Sequence, residues 1–262
     1  MSCISDNKVS EILFYLILAT IYIQLKDQIM KKLVLILFVS VLAAGAFAQN
    51  IQTHYDMGED RGYLTTTVEM FRPDKTGNTF FFIDMDYGVA DVEGVSLAYF
   101  EIARCFKLGK SPFSWHGEYN GGFGQPGATP NSAYQINDAW LTGLDYSWNA
   151  ADFSRGFSVK TLFKTIRGKN DASFQLTGVW YLNFAKGKMS FTGFADFWKE
   201  DNNFFVNAPL GTETKFVFLA EPQLWYNFNK NFAAGSEVEI ASNFALHKGL
   251  KFCPTVALKY TF

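Results

Sequence analysis

The sequence predicts an all-β fold: a closed antiparallel transmembrane β-barrel of about 12 strands, with about 10 as the alternative. Three observations predict it. The composition is aromatic and near-neutral; segments of roughly 10–14 residues alternate apolar and polar side chains; and short connections alternate with long ones along the chain. Of 262 residues, 28 are Phe, 12 Tyr and 6 Trp, against 21 Gly and 7 Pro. Disordered chains are poor in aromatics, and a collagen-like chain needs periodic Gly and abundant Pro. Both classes are excluded. Lys+Arg 23 against Asp+Glu 25 gives a net charge of -2, which leaves no basic face for nucleic acid. A mean hydropathy of +0.00 argues against a bundle of membrane-spanning helices, whose long apolar runs would raise it.

The N-terminal region divides first. Met30-Lys31-Lys32, the apolar run Leu33 to Ala44 and the small-residue stretch Gly45-Ala46-Phe47-Ala48 have the three parts of a secretory signal peptide, residues 30–48, with cleavage expected after Ala48. The run is shorter than the roughly 20 residues of a spanning helix. Residues 1–29 add a second apolar run, Ile12 to Leu25. Because Met30 opens a complete signal by itself, residues 1–29 are expected to be an extension ahead of the true initiator. The barrel then occupies residues 49–262. Only Cys105 and Cys253 remain in it, too few for a disulfide scaffold.

Strands are expected at 50–56 (the weakest), 62–73, 77–88, 95–107, 112–122, 138–149, 157–167, 172–185, 188–199, 213–228, 231–243 and 249–262. In 77–88, Thr79, Phe81, Ile83, Met85 and Tyr87 share one face, with Asn78, Asp84 and Asp86 on the other. In 112–122, Phe113, Trp115 and Tyr119 take the lipid side and Ser114, His116 and Glu118 the lumen. In 172–185, Phe174, Leu176, Trp180, Leu182 and Phe184 oppose Gln175, Thr177 and Asn183. In 188–199, Met189, Phe191, Ala195 and Phe197 face lipid while Phe194, Asp196 and Trp198 face inward. In 249–262, Leu250, Phe252, Val256, Leu258, Tyr260 and Phe262 oppose Lys251, Thr255, Lys259 and Thr261. Ordinary strands have a mode of about 5–6 residues, whereas a tilted bilayer-crossing strand needs about 9–11. Connections 74–76, 108–111, 186–187 and 229–230 are short, and 123–137 and 200–212 are long, as periplasmic turns and extracellular loops alternate in outer-membrane barrels. The connection 150–156 is long for its periplasmic place. The terminal Phe262 has the form of an insertion signal read by the outer-membrane assembly machinery.

Several patches carry a family resemblance: Val68-Glu69-Met70-Phe71, Phe80-Phe81-Phe82-Ile83-Asp84, Phe100-Glu101-Ile102, the run Met189 to Trp198, and Lys259-Tyr260-Thr261-Phe262. With these, residues 49–262 resemble the nucleoside-specific channel-forming porins (Tsx-like) of Gram-negative outer membranes. The resemblance implies a monomeric barrel of about twelve strands whose narrow pore passes nucleosides by aromatic and ionisable side chains. The loops here are short for that family.

Parity places Glu69, Asp84, Asp86, Glu101, Glu118, Lys160, Lys164, Asp196, Lys215, Glu221, Glu237, Glu239, Lys251 and Lys259 in the lumen, with Phe80, Phe82, Phe194, Trp198 and Trp225. A small barrel must fill its interior and pair its charges, so this set also suits a closed barrel. The solute-binding candidates are Phe80, Phe82, Asp84, Asp86, Glu101, Glu118, Phe194, Asp196 and Trp198, because an aromatic face beside an acceptor holds a base or sugar. The expected function is passive uptake of small solutes, with nucleosides as the candidate. The alternative is a closed structural barrel or a lipid-modifying enzyme. Ser114, His116 and Glu118 share a face, but a rise of about 3.4 Å per residue separates successive members by roughly 7 Å, beyond the reach of a nucleophile and base. No enzyme activity is expected. Neither H-x-H, C-x-x-C nor HExxH occurs, Asp84-x-Asp86 reads as lumenal carboxylates, and Gly121-Gly122-Phe123-Gly124 lacks the Lys-Ser/Thr of a phosphate loop. No metal and no cofactor are expected. The expected partners are the lipid bilayer, the insertion machinery and a small solute.

Overall fold

The computed structural model describes residues 48–127, 132–169 and 171–262; the expected extension and nearly all of the signal peptide lie outside them. Thirteen strand segments form one antiparallel sheet: β1 (Ala48–Asp56), β2 (Leu64–Pro73), β3 (Gly77–Tyr87), β4 (Val95–Lys107), β5 (Phe113–Gly124), β6 (Tyr134–Asn149), β7 (Arg155–Ile166), β8 (Ser173–Phe184), β9 (Met189–Asn202), β10 (Thr214–Ala220), β11 (Gln223–Asn227), β12 (Phe232–Ser242) and β13 (Leu250–Thr261). Apart from β10 and β11, which both pair with β9 and β12, each pairs with its sequence neighbours, and β13 returns to β1 from Asn50↔Thr261 to Asp56↔Thr255, closing the sheet on itself. Closure leaves no edge strand whose backbone donors and acceptors would face lipid unpaired.

Segments β10 and β11 both lie between β9 and β12 in one continuous register, Ala220↔Ala195 leading on to Gln223↔Thr192. They are two halves of one stave, and the barrel therefore has twelve staves. The expected strand 213–228 is interrupted at Glu221-Pro222, because Pro222 has no N–H to give to the ladder. Its neighbours keep the register: Glu221 N donates to Phe194 O at 3.0 Å and Val238 N to Pro222 O at 3.1 Å. Opposite the break lies Gly193 at φ +151; a Cβ there would stand 2.5 Å from Glu221 O and 3.0 Å from Pro222 Cα. The break and the glycine fit as one unit.

The connections alternate as expected. Short turns 74–76, 108–112, 150–154, 185–188 and 228–231 occupy the end that also holds residues 48 and 262, and the other end carries 57–63, 88–94, 125–133, 167–172, 203–213 and 243–249. The long connection expected at 150–156 shrinks, because β7 begins at Arg155, and the loop expected at 123–137 shrinks because β5 and β6 run on to Gly124 and back to Tyr134. Turn 74–76 is tightly tied. Asp74 Oδ1 accepts from the Thr76 and Gly77 amides at 2.7 and 2.9 Å, and Arg104 Nη1 donates to Asp74 Oδ2 at 2.5 Å. Hydrogen bonds from the Arg104 guanidinium and from Thr76 hold the Asp74 carboxyl well below the usual carboxylate range.

Sidedness is inverted relative to a water-soluble fold. Trp115, Trp140, Leu176, Phe216, Phe252 and Leu258 stand exposed on the outer face, while Gln52, His54, His116, Glu118, Asp145 and Gln175 are buried inside. Such a continuous apolar exterior is stable only in lipid. Aromatics gather at the short-turn end: Trp148 lies 5.7 Å from Phe157, Phe232 4.8 Å from Tyr260, and Tyr260 5.2 Å from Phe262. This is the girdle of a membrane–water interface. Phe262 also closes the seam, its N–H donating to Gln49 O at 3.0 Å. Deleting Phe262 is expected to lower the amount of heat-modifiable barrel recovered from outer membranes; wild-type recovery would show that the residue is dispensable for assembly.

Candidate functional site

The pleat that points apolar side chains to lipid sends the intervening positions inward, and the register lines these up around the barrel. Asn50, Glu69, Phe82, Glu101 and Asn120 face one another in turn across β1 to β5. Carboxylates dominate this wall, and each is tied by a neighbour. Glu69 accepts from Asn50 at 2.9 Å, Asp84 from Thr67 at 2.5 Å, Asp86 from Thr65 at 2.7 Å and Glu101 from Tyr99 at 2.7 Å. Glu237 accepts from Gln223 at 2.5 Å. Glu221, beside the Pro222 break, is within electrostatic reach of Glu237, Asp84, Glu239 and Glu101, and Glu101 within reach of Glu118 and Asp196. These residues come from staves on opposite sides of the barrel, so the acids form a belt around the lumen rather than a one-sided patch.

Cations are interspersed among these acids. Lys160 on β7 stands opposite Asp145 on β6. Lys164 Nζ donates to Gln175 at 2.7 Å and lies 4.3 Å from the centre of the Trp198 ring. Lys259 Nζ lies 3.8 Å over Trp225. Lys215, expected in the lumen, keeps the parity of buried Val217 but lies exposed near the long-loop end of β10, where two β9 residues, Glu200 and Asp201, bulge opposite it.

The candidate solute-binding residues divide into two groups and a separate Glu118. Phe80, Phe82, Asp84, Asp86 and Glu101 share the β3–β4 wall, with Phe80 and Phe82 6.0 Å apart. Tyr99, which parity alone could have included beside Glu101, completes this group at 6.0 Å from Phe82. Phe194, Asp196 and Trp198 alternate on β9 as expected. Asp196 keeps one buried oxygen, Oδ1, without a hydrogen-bond partner among the described residues, as does Asn120 Oδ1. The Trp198 end of that ladder is covered. Its ring is 6% exposed, sits beside Lys164, meets Phe244 edge-on at 6.0 Å, and donates from Nε1 to Glu200 at 2.9 Å. A stacking face on β9 therefore rests on Phe194 rather than Trp198.

Glu118 belongs to a different constellation. His116 Nε2 lies 2.7 Å from Glu118 Oε2, so two residues spaced along one strand do meet. The expectation of roughly 7 Å described backbone positions, and two long side chains leaning together close that gap. The other ring nitrogen of His116 meets Cys105, not Ser114: Nδ1 is 3.2 Å from Cys105 Sγ.

Part of the interior is filled. Trp225, 0% exposed, packs on Ala233 and Ala257 and donates from Nε1 to Gln223 at 2.9 Å. His54 meets the ring edge-on at 6.0 Å and is pinned between Thr255 and Gln52, each at 3.1 Å. At the long-loop end, Arg61 reaches from loop 57–63 to Asp56 and Glu239, both at 2.7 Å, beside a small cleft shared with Phe244, His247 and Lys251.

Solved structures with this architecture are outer-membrane barrels. The NanC porin superposes with a TM-score of 0.53 at 10% identity, covering 82% of this chain and 100% of that one. The KdgM porin gives 0.47 at 12% identity, covering 82% and 99%, and Omp33 of Acinetobacter baumannii 0.39 at 14%, covering 82% and 97%. At these identities the likeness is one of fold. No curated protein matches the sequence. The chain shares with the NanC porin the fold of a closed antiparallel β-barrel. A family model described as a domain of unknown function, DUF5020, matches residues 48–262, from the start of β1 to the end of the closing seam, and the chain belongs to that family.

Proposed function

We propose that this barrel is a monomeric passive channel for small polar solutes, favouring cations and neutral hydroxyl-bearing molecules over anions. The observation that carries the reading is the belt of carboxylates: Glu69, Asp84, Glu101, Glu221 and Glu237 come from separate parts of the wall and remain partly exposed inside the barrel. A sealed interior tends to pair or exclude such groups, whereas rings of Asp and Glu are how cation-conducting pores select. Nucleosides are the finer reading. Phe82 and Tyr99 beside Asp84 and Glu101 offer a face for a base and acceptors for ribose hydroxyls, with Phe194 and Asp196 as a second such pair. Stacking contributes about 1–3 kcal/mol per base, enough for brief occupancy and compatible with release. The protein performs no chemistry on the solute; Phe262 serves the insertion machinery.

Planar-bilayer recording of the refolded barrel tests this. Cation-selective conductance is expected, with the reversal potential moving toward zero in a Glu221→Gln/Glu237→Gln variant. Added nucleoside is expected to block part of the current, and Phe82→Ala to relieve the block. Conductance without block would retire the nucleoside reading, and no conductance above the lipid baseline would retire the channel in favour of a closed structural barrel.

A further inference from the structure

Cys105 on β4, His116 on β5 and Asp145 on β6 converge inside the barrel near its short-turn end, on three successive strands. The hairpin register pairs Cys105 with His116 directly, and His116 stands across from Gly143, two residues before Asp145. Cys105 Sγ lies 3.2 Å from His116 Nδ1 and 3.5 Å from Asp145 Oδ2, and the three donor atoms all fall within 4.8 Å of one another. Donors sharing one zinc ion, at about 2.0–2.3 Å from the metal, stand roughly 3.3–3.6 Å apart in a tetrahedron. Two of the three spacings, those from Cys105 Sγ, are already near that value.

Each ligand is also aimed from behind. Glu118 Oε2 holds His116 Nε2 at 2.7 Å, which directs Nδ1 toward the sulfur. A carboxylate on the far nitrogen of a metal-binding histidine is the usual arrangement behind such a ligand. Ser147 Oγ donates to Asp145 Oδ1 at 3.0 Å, which leaves Oδ2 for the cluster. The same three-part line from Cys105 through His116 to Glu118 has the order of a nucleophile, base and orienting acid. Access decides against that reading: Cys105 is 3% and His116 0% exposed, so no acyl substrate reaches the sulfur, whereas an ion needs no such opening.

We propose that Cys105, His116 and Asp145 form a binding site for a borderline-soft divalent cation such as Zn²⁺, with Glu118 and Ser147 positioning two of the ligands. Thiolate, imidazole and carboxylate together suit zinc, and one thiolate with one carboxylate neutralises its charge. Lys160, opposite Asp145, balances Glu118. Three protein ligands leave a fourth coordination position, which a water molecule would fill. The ion would tie three neighbouring strands together just inside the rim.

Cobalt titration of the full refolded barrel in detergent tests the site. One equivalent is expected to give a thiolate-to-cobalt charge-transfer band that Zn²⁺ displaces. Cys105→Ala should abolish the band and Cys253→Ala should keep it, with heat-modifiable migration showing that both variants are folded. Glu118→Gln should weaken affinity about 10–100-fold. If Cys105→Ala does not fold, the nearly isosteric Asp145→Asn takes its place and should likewise weaken binding. Absence of the band in the wild-type barrel, its persistence in folded Cys105→Ala, or unchanged affinity in Asp145→Asn would overturn the proposal.

Discussion

Trp225→Ala is expected to destabilise the folded barrel by about 3–5 kcal/mol, the range for truncating a fully buried tryptophan, and to raise its single-channel conductance. The indole fills the space between Ala233 and Ala257, carries Lys259 on its face at 3.8 Å, and takes His54 against its edge. Neighbouring small residues cannot close over the void, because the strands that bear them are fixed by the ladder. The vacated volume is polar-walled and fills with water. Equilibrium unfolding in detergent and bilayer recording read the two effects separately. A midpoint within error of wild type would show that the ring is not a packing centre, and an unchanged conductance would place the narrowest point elsewhere. Gly235 belongs to the same argument, since a Cβ there would stand 2.3 Å from Leu224 O and 2.6 Å from the Trp225 ring. Gly235→Ala should therefore push the indole out of place with Trp225 itself intact.

Arg61→Ala is the second large effect. One guanidinium reaches two carboxylates, Asp56 and Glu239, each at 2.7 Å, and links a loop to strands β1 and β12. Removing it leaves two poorly hydrated negative charges facing each other. The loss from breaking a buried pair is about 3–5 kcal/mol, and the partial exposure of these side chains puts the expected value at the lower end. Arg61→Lys keeps the charge but not the fork, so its stability should fall between the two. The alanine variant should also discriminate more strongly for cations, because a fixed positive charge has left the mouth. Loss of stability with unchanged selectivity would place Arg61 outside the conduction path.

The barrel was legible because bilayer thickness imposes long strands and the pleat imposes period two. Those two constraints alone placed Trp225, Glu221 and Asp196 inside and Phe197 and Leu258 outside, as the structure has them. What parity could not supply was the state of each inward side chain. Trp198 reads as a free stacking face from the sequence because nothing local reveals Lys164, which comes from another strand. The Pro222 break was visible as a proline within an expected strand. The flanking alternation masks it by continuing in phase through it. The Cys105, His116 and Asp145 cluster escaped for a geometric reason: motif spacings describe ligands along one helix or loop, whereas here the spacing is that of a hairpin register. Folding 95–107 onto 112–122 about the turn near residue 110 would have set Cys105 opposite His116.

The seam between β1 and β13 has a kinetic consequence. These strands pair residues about as far apart in the barrel sequence as any two can be, Asn50 with Thr261. Loop-closure entropy is charged before such a contact returns anything, and high contact order slows folding. All the other pairings can form as local hairpins while β1 waits with an unsatisfied edge, a template for pairing with another chain. The closing step is thus expected to be the slow one, and also the step at which an emerging chain is most exposed to aggregation. Substitutions along Asn50 to Asp56 should change the yield of assembled barrel far more than the lifetime of barrels already closed.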